Sequence, residues 1–499
     1  MIVYQKIKKT ENNYGELMNR RKMLRVSAMG SFILNLAPFS VFAQKTSISL
    51  EMEVLSNYMA EASRKILPDD VIEHTKHHLM DTLAAIISGS KLLPGKAAFK
   101  YINLHAAKGG RTVIASNKLV GAADAALVNG VMGHADETDD SHGRSRSHPG
   151  CAVVPAALAA AEEFNVNGMC LLRSIALGYD VGTRLLMAMG GPKFSYSSHK
   201  SSHSIAGTFG AAASAACTAN LNAEQMRWVL DYTAQQSSGI AAWGRDTDHI
   251  EKAFVFGGMP ARNGVTSALL VQSGWNGIDD VFSGADNFFL AYAPEANKEI
   301  LIEKLGERFE ITQTDIKKWT VGSPIQGPLD AIEIIRSRHA FDANQVQKIV
   351  VRLEPSVAKV VDNREMPDIC LQYMVSVMVL DRTATFKAAH DIERMRSSDV
   401  LNMRAKVQLI ADEQLSQFLP VRVAIVEITL DSGEKLTERV EAVRGTPRNP
   451  MTKSEVVDKC MDLIVPILGL PKSRQLINTV YSIENLASVQ KLGPLLQLN

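Results

Sequence analysis

The sequence predicts a mainly α-helical protein with an α+β lid, in which a multi-helix domain is interrupted by a smaller inserted domain and completed by the C-terminal segment. Three observations predict this. Apolar residues from about 50 to 313 recur at three- and four-residue spacing, alternating β-branched runs are confined to 346–443, and helical periodicity returns after the turn Gly445-Thr446-Pro447-Arg448-Asn449-Pro450. At 499 residues the chain exceeds one ordinary core, so at least two domains are expected.

Taken in order, residues 1–45 read as an export signal. Arg20, Arg21, Lys22 and Arg25 precede the uncharged stretch 26–42, which ends in Val41-Phe42-Ala43. The paired arginines resemble a twin-arginine signal, so a periplasmic or otherwise exported bacterial location is expected. Gly30, Asn35 and Pro38 make the uncharged stretch a poor spanning helix, and no stable membrane insertion is expected once the signal is removed. Residues 46–313 form the helical domain. Its segments 152–163, 205–221 and 262–272 are rich in small residues, which let backbones approach closely. Residues 314–449 form the lid, with strands predicted over 346–353, 406–410, 421–430 and 435–443 and a hairpin turn at Asp431-Ser432-Gly433. Leu329, Ile332 and Ile335 share a helix face there, and 370–380 is a second helix. Residues 450–499 return to the helical domain, starting where Thr452 can cap a helix.

Composition narrows the function. With 46% hydrophobic and 21% charged residues the chain is a folded globular protein. Lys plus Arg (54) nearly equals Asp plus Glu (53), which removes the broad basic field that nucleic-acid binding needs. The five cysteines include no CxxC pair, so neither a zinc site nor a disulfide framework is suggested.

Chemistry concentrates in three clusters. Residues 133–150 read GHADETDDSHGRSRSHPG, an acid- and histidine-dense stretch between two helices. Acids beside histidines push each other's pKa values apart, which supplies a proton donor and an acceptor near neutral pH. A polar capping loop is one alternative, and a mixed-ligand metal site built from His134, Asp136, Asp140 and His142 is another. Residues 197–204, SSHKSSHS, place His199, Lys200 and His203 at a helix start, where free N–H groups favour an anion such as a carboxylate. Residues 245–252, RDTDHIEK, precede the glycine-rich stretch 257–264, which lacks phosphate-loop spacing and whose glycines suit close helix packing.

These clusters, in this order, resemble the MmgE/PrpD family of 2-methylcitrate dehydratases, cis-aconitate decarboxylases and iminodisuccinate epimerases. The segment His134-Ala135-Asp136-Glu137-Thr138-Asp139-Asp140-Ser141-His142, followed by His148-Pro149-Gly150, is similar to the family's H-x-x-D-x-D-D-T-H and H-P-S elements. Gly178-Tyr179-Asp180-Val181-Gly182-Thr183-Arg184, Lys252 before the glycine-rich stretch, Tyr373 and the 445–450 turn match further family elements. Glu137 replaces the usual Asp and Ser141 the usual Thr. The family histidine before the G-T-x-G helix falls at Ser201, leaving His199 or His203 as substitutes. Residues 317–326 replace a lid run that normally carries a histidine and an arginine.

The resemblance implies a cofactor-independent, metal-free enzyme, usually a homodimer, that binds a small polycarboxylate between helical domain and lid. It implies proton transfer next to a carboxylate. His148 with His203 or Tyr373 would be acid and base, oriented by Glu137 and Ser141. Lys252, Lys317 and His203 would hold carboxylates and stabilise developing negative charge, with His199, Asp140 and His142 also lining the site. Dehydration of a 2-methylcitrate-like substrate is favoured as the family's most familiar activity, with epimerisation or decarboxylation of a related dicarboxylate or tricarboxylate as alternatives. A noncatalytic periplasmic dicarboxylate binder and a metal-dependent hydrolase stay open.

Overall fold

The small-residue helices form the centre of the molecule. The computed structural model describes residues 48–419 and 421–498; the expected export signal lies outside them. Helix Ser202–Thr218 is buried along its whole length and packs against Gly168–Ala188, Met259–Gln272 and Gly150–Glu163. Gly178 and Gly210 show why bulk is excluded. A Cβ on Gly210 would lie 2.7 Å from the Gly178 carbonyl oxygen, so any side chain there would force the two helices apart. These helices are mainly apolar around their circumference because neighbours cover every face.

A two-stranded hairpin, Lys108–Thr112 with Leu119–Val120, interrupts the helical region. Sequence periodicity gives no sign of it, because strands of five and two residues are too short to establish alternation.

The lid has its own apolar core. Its sheet has the order Val407–Ala411, Val346–Leu353, Ala424–Leu430, Lys435–Val440, with the first pair parallel and the others antiparallel. Ala424–Leu430 alternates buried and half-buried positions, as one covered face requires. Helices Ser323–Arg338 and Leu371–Leu380 supply the cover. The hairpin turn falls as expected, with Gly433 at φ +85°.

Beyond the 445–450 turn, Thr452 and Glu455 close a capping box at the start of Lys453–Leu468. This helix packs along Asp69–Gly89. Its Lys459 Nζ lies 2.6 Å from Asp81 and 3.1 Å from the Thr138 carbonyl oxygen, so it braces the histidine-rich segment from behind. Among the described residues, no helix is long and apolar enough to cross a membrane.

Candidate active site

The acidic segment begins where helix Ala122–Gly133 ends. His134 is the C-cap and is fully buried, and an Asp136–Thr138 turn follows in which Asp136 accepts from the Thr138 N–H at 2.9 Å and hydroxyl at 2.7 Å. That turn aims Glu137 and Asp139 at one region. A two-residue antiparallel bridge between Ser141 and Asp315 then carries Lys317 to the same place, with N–H to carbonyl distances of 3.1 and 2.8 Å.

Four imidazoles meet there, three of them around one aromatic ring. Phe256 lies in the π-helical turn Phe254–Gly258 and stacks with His203 (centroids 3.9 Å apart) and His134 (4.5 Å). His148 lies 5.1 Å from His134 and 5.3 Å from His203, and His249 lies 5.2 Å from His134. Close packing makes the turn possible: a Cβ on Gly257 would lie 2.1 Å from the Gly130 carbonyl oxygen. An extra residue in a helical turn is a recurrent way to re-aim side chains at functional sites.

Asp139 organises the imidazoles. One oxygen is 2.9 Å from His134 Nδ1, the other 3.2 Å from His148 Nδ1, and Lys317 Nζ is 3.6 Å away. Burial pushes its carboxyl up, but His134, His148 and Lys317 more than offset this and hold it well below the usual range. An ionised Asp139 fixes Nδ1 of both rings as the donor, so each Nε2 is left free to take or give a proton. His134 Nε2 and His249 Nε2 are buried with no hydrogen-bond partner. Burial lowers the pKa of His134, His203 and His249, the last to about 3, with neighbouring imidazoles and Lys252 acting in the same direction.

Glu137 anchors the cations. It accepts a very short bond from Lys252 Nζ, and Lys317 Nζ lies 3.8 Å from its carboxylate and 2.7 Å from its carbonyl oxygen. Burial opposes its ionisation, but the two ammonium groups hold its pKa well below normal. Lys252 also sits 5.3 Å from the Phe256 ring centroid and 5.8 Å from that of Trp243.

The lid closes over this cluster. His390 Nε2 is 3.1 Å from Asp136, and although burial disfavours its charge, the Asp136 contact raises its pKa to about 9. Burial pushes the lid carboxyl Asp368 up to about 7, with His390 opposing. The arrangement is shut, and side-chain exposure of 13% at His148 and 15% at Lys252 marks the edge that reaches solvent. A small cavity lined by His74, His77, His78 and Thr312 takes in none of these residues.

The structure thus brings together His148, His203, Glu137, Lys252 and Lys317 from the expected set. It places five others elsewhere. His199 is exposed at φ +56°, so His203, in the first turn of Ser202–Thr218, is the histidine that joins the cluster. Asp140 is fully committed to His78 Nδ1, the Tyr179 hydroxyl and the Gly150 N–H, and is closed to a ligand. His142 is bound to Ser145 and Glu310. Tyr373 donates its hydroxyl to the Ala388 carbonyl at 2.7 Å inside the lid core, and burial raises its pKa further from use. Ser141 contributes its main chain to the Asp315 bridge, and the orienting role expected of Glu137 and Ser141 falls to Asp139.

Asp139, Asp368 and His390 were not singled out by sequence reasoning. Asp139 had a signal, standing between two histidines at five and nine residues' distance. His390 and Asp368 follow no motif.

Among the five cysteines, all free, Cys151 borders the cluster, its thiol 3.2 Å from the His148 carbonyl oxygen. Burial raises its pKa well above normal, which leaves it an un-ionised packing residue.

Two sets of three ligand atoms, His134–Asp139–His148 and His134–Glu137–His249, lie close enough to share an ion. The Lys252 and Lys317 ammonium groups beside Glu137 and Asp139 already neutralise those carboxylates, so the donor set fits a metal poorly.

Two family models match the chain in succession. The MmgE/PrpD N-terminal domain matches residues 53–301, and the MmgE/PrpD C-terminal domain matches residues 319–485. The chain belongs to the MmgE/PrpD family. Among curated MmgE/PrpD relatives, the cis-aconitate decarboxylase-like protein oryM of Aspergillus oryzae is 24% identical over 474 residues, covering 88% of this chain and 95% of that protein. Cis-aconitate decarboxylase of Homo sapiens is 25% identical over 457 residues, covering 86% and 91%, and that of Mus musculus is 25% identical over 458 residues, covering 86% and 90%. The alignments span body and lid alike, which places this MmgE/PrpD chain at the level of a lyase family with decarboxylase relatives.

Proposed function

We propose that the protein is a lyase that decarboxylates a small unsaturated polycarboxylate of the cis-aconitate type, with proton transfer by the imidazole cluster. The observation that carries this reading is Asp139 bridging Nδ1 of His134 and of His148. A carboxylate in that position orients the rings and supports a transient imidazolium, as in other acid–base dyads. Lys252 and Lys317, held by Glu137 within the same closed site, would pair with substrate carboxylates and stabilise charge on an enolate-like intermediate.

The chemistry balances without an external oxidant or reductant. The bond between a carbon and its carboxylate breaks and carbon dioxide leaves. The freed electron pair forms a new double bond toward the old one, whose own pair takes a proton at its far carbon from an imidazolium or from Asp368. A closed site with two ammonium groups favours this because the developing negative charge is spread toward substrate carboxylates that Lys252 and Lys317 would hold. Decarboxylation is preferred to dehydration of a 2-methylcitrate-like substrate because three similar proteins bear that activity in their names.

The test is incubation of purified protein in deuterated water with cis-aconitate, 2-methylcitrate and iminodisuccinate, followed by NMR and carbon dioxide release. Carbon dioxide from cis-aconitate, with one deuterium in the product and dependence on His148, is expected. Turnover of 2-methylcitrate or iminodisuccinate instead would move the assignment to dehydration or epimerisation. Silence toward all three would overturn the reading.

A further inference from the structure

We infer that His390 is a positioning residue, an imidazolium that clasps the lid to the body through Asp136, so that shutting the site takes up one proton. The inference rests on the function given above and deepens it by naming what governs entry to that site.

The clasp is built on the short helix Phe386–Ala389, whose two ends belong to different cores. Phe386 packs against the apolar core of the body, and its N–H donates to Asp462 of helix Lys453–Leu468 at 3.0 Å. Ala389 is buried in the lid core. His390 follows as the C-cap and lays its ring on Phe386, with centroids 4.3 Å apart.

The charge of the ring follows from its neighbours. Nδ1 lies 2.8 Å from the Phe386 carbonyl oxygen, which can only accept, so Nδ1 carries a proton. Nε2 is buried 3.1 Å from Asp136 Oδ2 but out of line for a hydrogen bond, so the attraction there is one of charge. Asp136 is 4% exposed and accepts from Thr138 with both oxygens, as an ionised carboxylate does. Among the described residues, His390 is the cation within ion-pair distance of it. A neutral ring would leave that buried carboxylate without a counter-ion. Because Glu137 is the next residue and anchors Lys252 and Lys317, losing the clasp would loosen both the lid and the turn that aims the cations.

The groups that face the ring set the pH range. Burial disfavours the imidazolium, but Asp136 from the body, Asp368 from the lid and the Phe386 carbonyl outweigh it and raise the pKa to about 9. Asp462 meets the Phe386 N–H. With the lid open the ring returns to its ordinary value of 6.5. The shut form therefore binds the extra proton between those values: the clasp is complete below about pH 6.5 and is lost as pH rises through about 9. Asp368, pushed up to about 7 by burial, has the same sign in a lower window, so the range above pH 7 isolates His390.

Hydrogen exchange of the full-length protein tests the clasp without substrate. In peptides 384–392 and 134–142, corrected for intrinsic exchange, opening of the wild type should grow by up to about tenfold per pH unit between about pH 7 and 9. Helix Ser202–Thr218 should keep its protection throughout. His390→Gln, neutral at every pH, should open equally across that range, and His390→Lys, charged throughout it, should stay shut. A wild type whose exchange is level, or a His390→Gln variant that keeps the wild-type slope, overturns the clasp and leaves the decarboxylase reading in place. With cis-aconitate, the KM advantage of wild type over His390→Gln should shrink toward one as pH rises from about 7 to 9, while the ratio of their kcat values holds steady. A kcat ratio that follows pH at constant KM ratio overturns the positioning role. No turnover beside the expected exchange slope overturns the decarboxylase reading and leaves the clasp.

Discussion

Between residues 134 and 148 the chain feeds two polar networks that lie side by side and differ in how far the protein itself satisfies them. One faces the lid and holds His134, Glu137, Asp139 and His148. The other faces the helical body and holds Asp140 and His142. On the body side, Asp140 accepts from His78, Tyr179 and Gly150, while Glu310 gathers His142, Arg308 and Arg184. On the lid side, Nε2 of His134 and of His249 have no partner, and Glu137 and Asp139 are ringed by ammonium groups and imidazoles. Both networks are buried and both are rich in charge. Each leaves some buried nitrogens unpaired, His78 Nε2, Arg184 Nε and Arg308 Nη2 on the body side among them, but only on the lid side do unpaired imidazoles stand beside the Lys252 and Lys317 ammonium groups that a carboxylate substrate could meet.

The difference predicts opposite consequences for mutations a few residues apart. His148→Ala should lower kcat by about 10²–10⁴-fold, the usual worth of a positioned acid–base group, while the melting temperature stays within a few degrees because the ring is at the solvent edge. A loss under tenfold would remove His148 from the reaction.

Asp140→Ala should do the reverse. Removing the shared acceptor of three buried donors costs about 3 kcal/mol or more, seen as a lower urea midpoint, with activity per folded molecule reduced far less than in His148→Ala. A variant as stable as the wild type but inactive would place Asp140 in the working network.

Acid titration separates the networks next. His249 has its pKa depressed to about 3, so between its ordinary value of 6.5 and that point the native state binds fewer protons than the unfolded state. The stability it contributes is therefore complete above about pH 6.5 and is lost as pH falls toward 3. Asp368, raised to about 7, and Asp180, raised to about 6, have the opposite sign, being most favourable below the unfolded carboxylate range. A subtraction isolates the histidine. His249→Asn keeps the φ of +66° that asparagine tolerates, and its stability should rise relative to the wild type, by at most about 1.4 kcal/mol per pH unit, as pH is lowered from 6.5. Parallel curves in chemical melts would show that His249 is not a neutral, strained member of the cluster.

Much of this was legible in the sequence, for identifiable reasons. The segments 152–163 and 262–272 lie within the central helices, and 205–221 overruns its helix by three residues, because small residues at helical spacing have few other uses. The predicted run 346–353 is a strand from end to end, its three valines and one isoleucine suiting a strand held between two neighbours in the sheet. The segment 133–150 announced itself by charge density. Which of its residues face the substrate was not legible, since Asp139 and Asp140 are adjacent, chemically identical and turned opposite ways by an irregular stretch whose geometry only the fold supplies. His390 and Asp368 were invisible for another reason: each stands in a short irregular stretch, and a lone histidine or aspartate there reads like any surface residue until the lid is seated.

The smallest expected effect tests the edge of the comparison. Tyr373 stands in a family-like helix and its sequence context suggested an acid or base, yet its hydroxyl reaches the Ala388 carbonyl at 2.7 Å and the Asp391 carbonyl at 3.4 Å. Those carbonyls flank His390, the residue that meets Asp136 across the boundary between lid and body. Tyr373 therefore belongs to the satisfied kind of network, and its bearing on the reaction is through where it holds His390. Tyr373→Phe keeps the ring and deletes one buried hydrogen bond, so about 1 kcal/mol of stability should be lost. Because His390 would be less firmly placed, KM should rise by a few-fold at most while kcat stays within about twofold. A kcat loss as large as that of His148→Ala would mean that the phenol turns inward during turnover and that the boundary between the two networks moves when substrate binds.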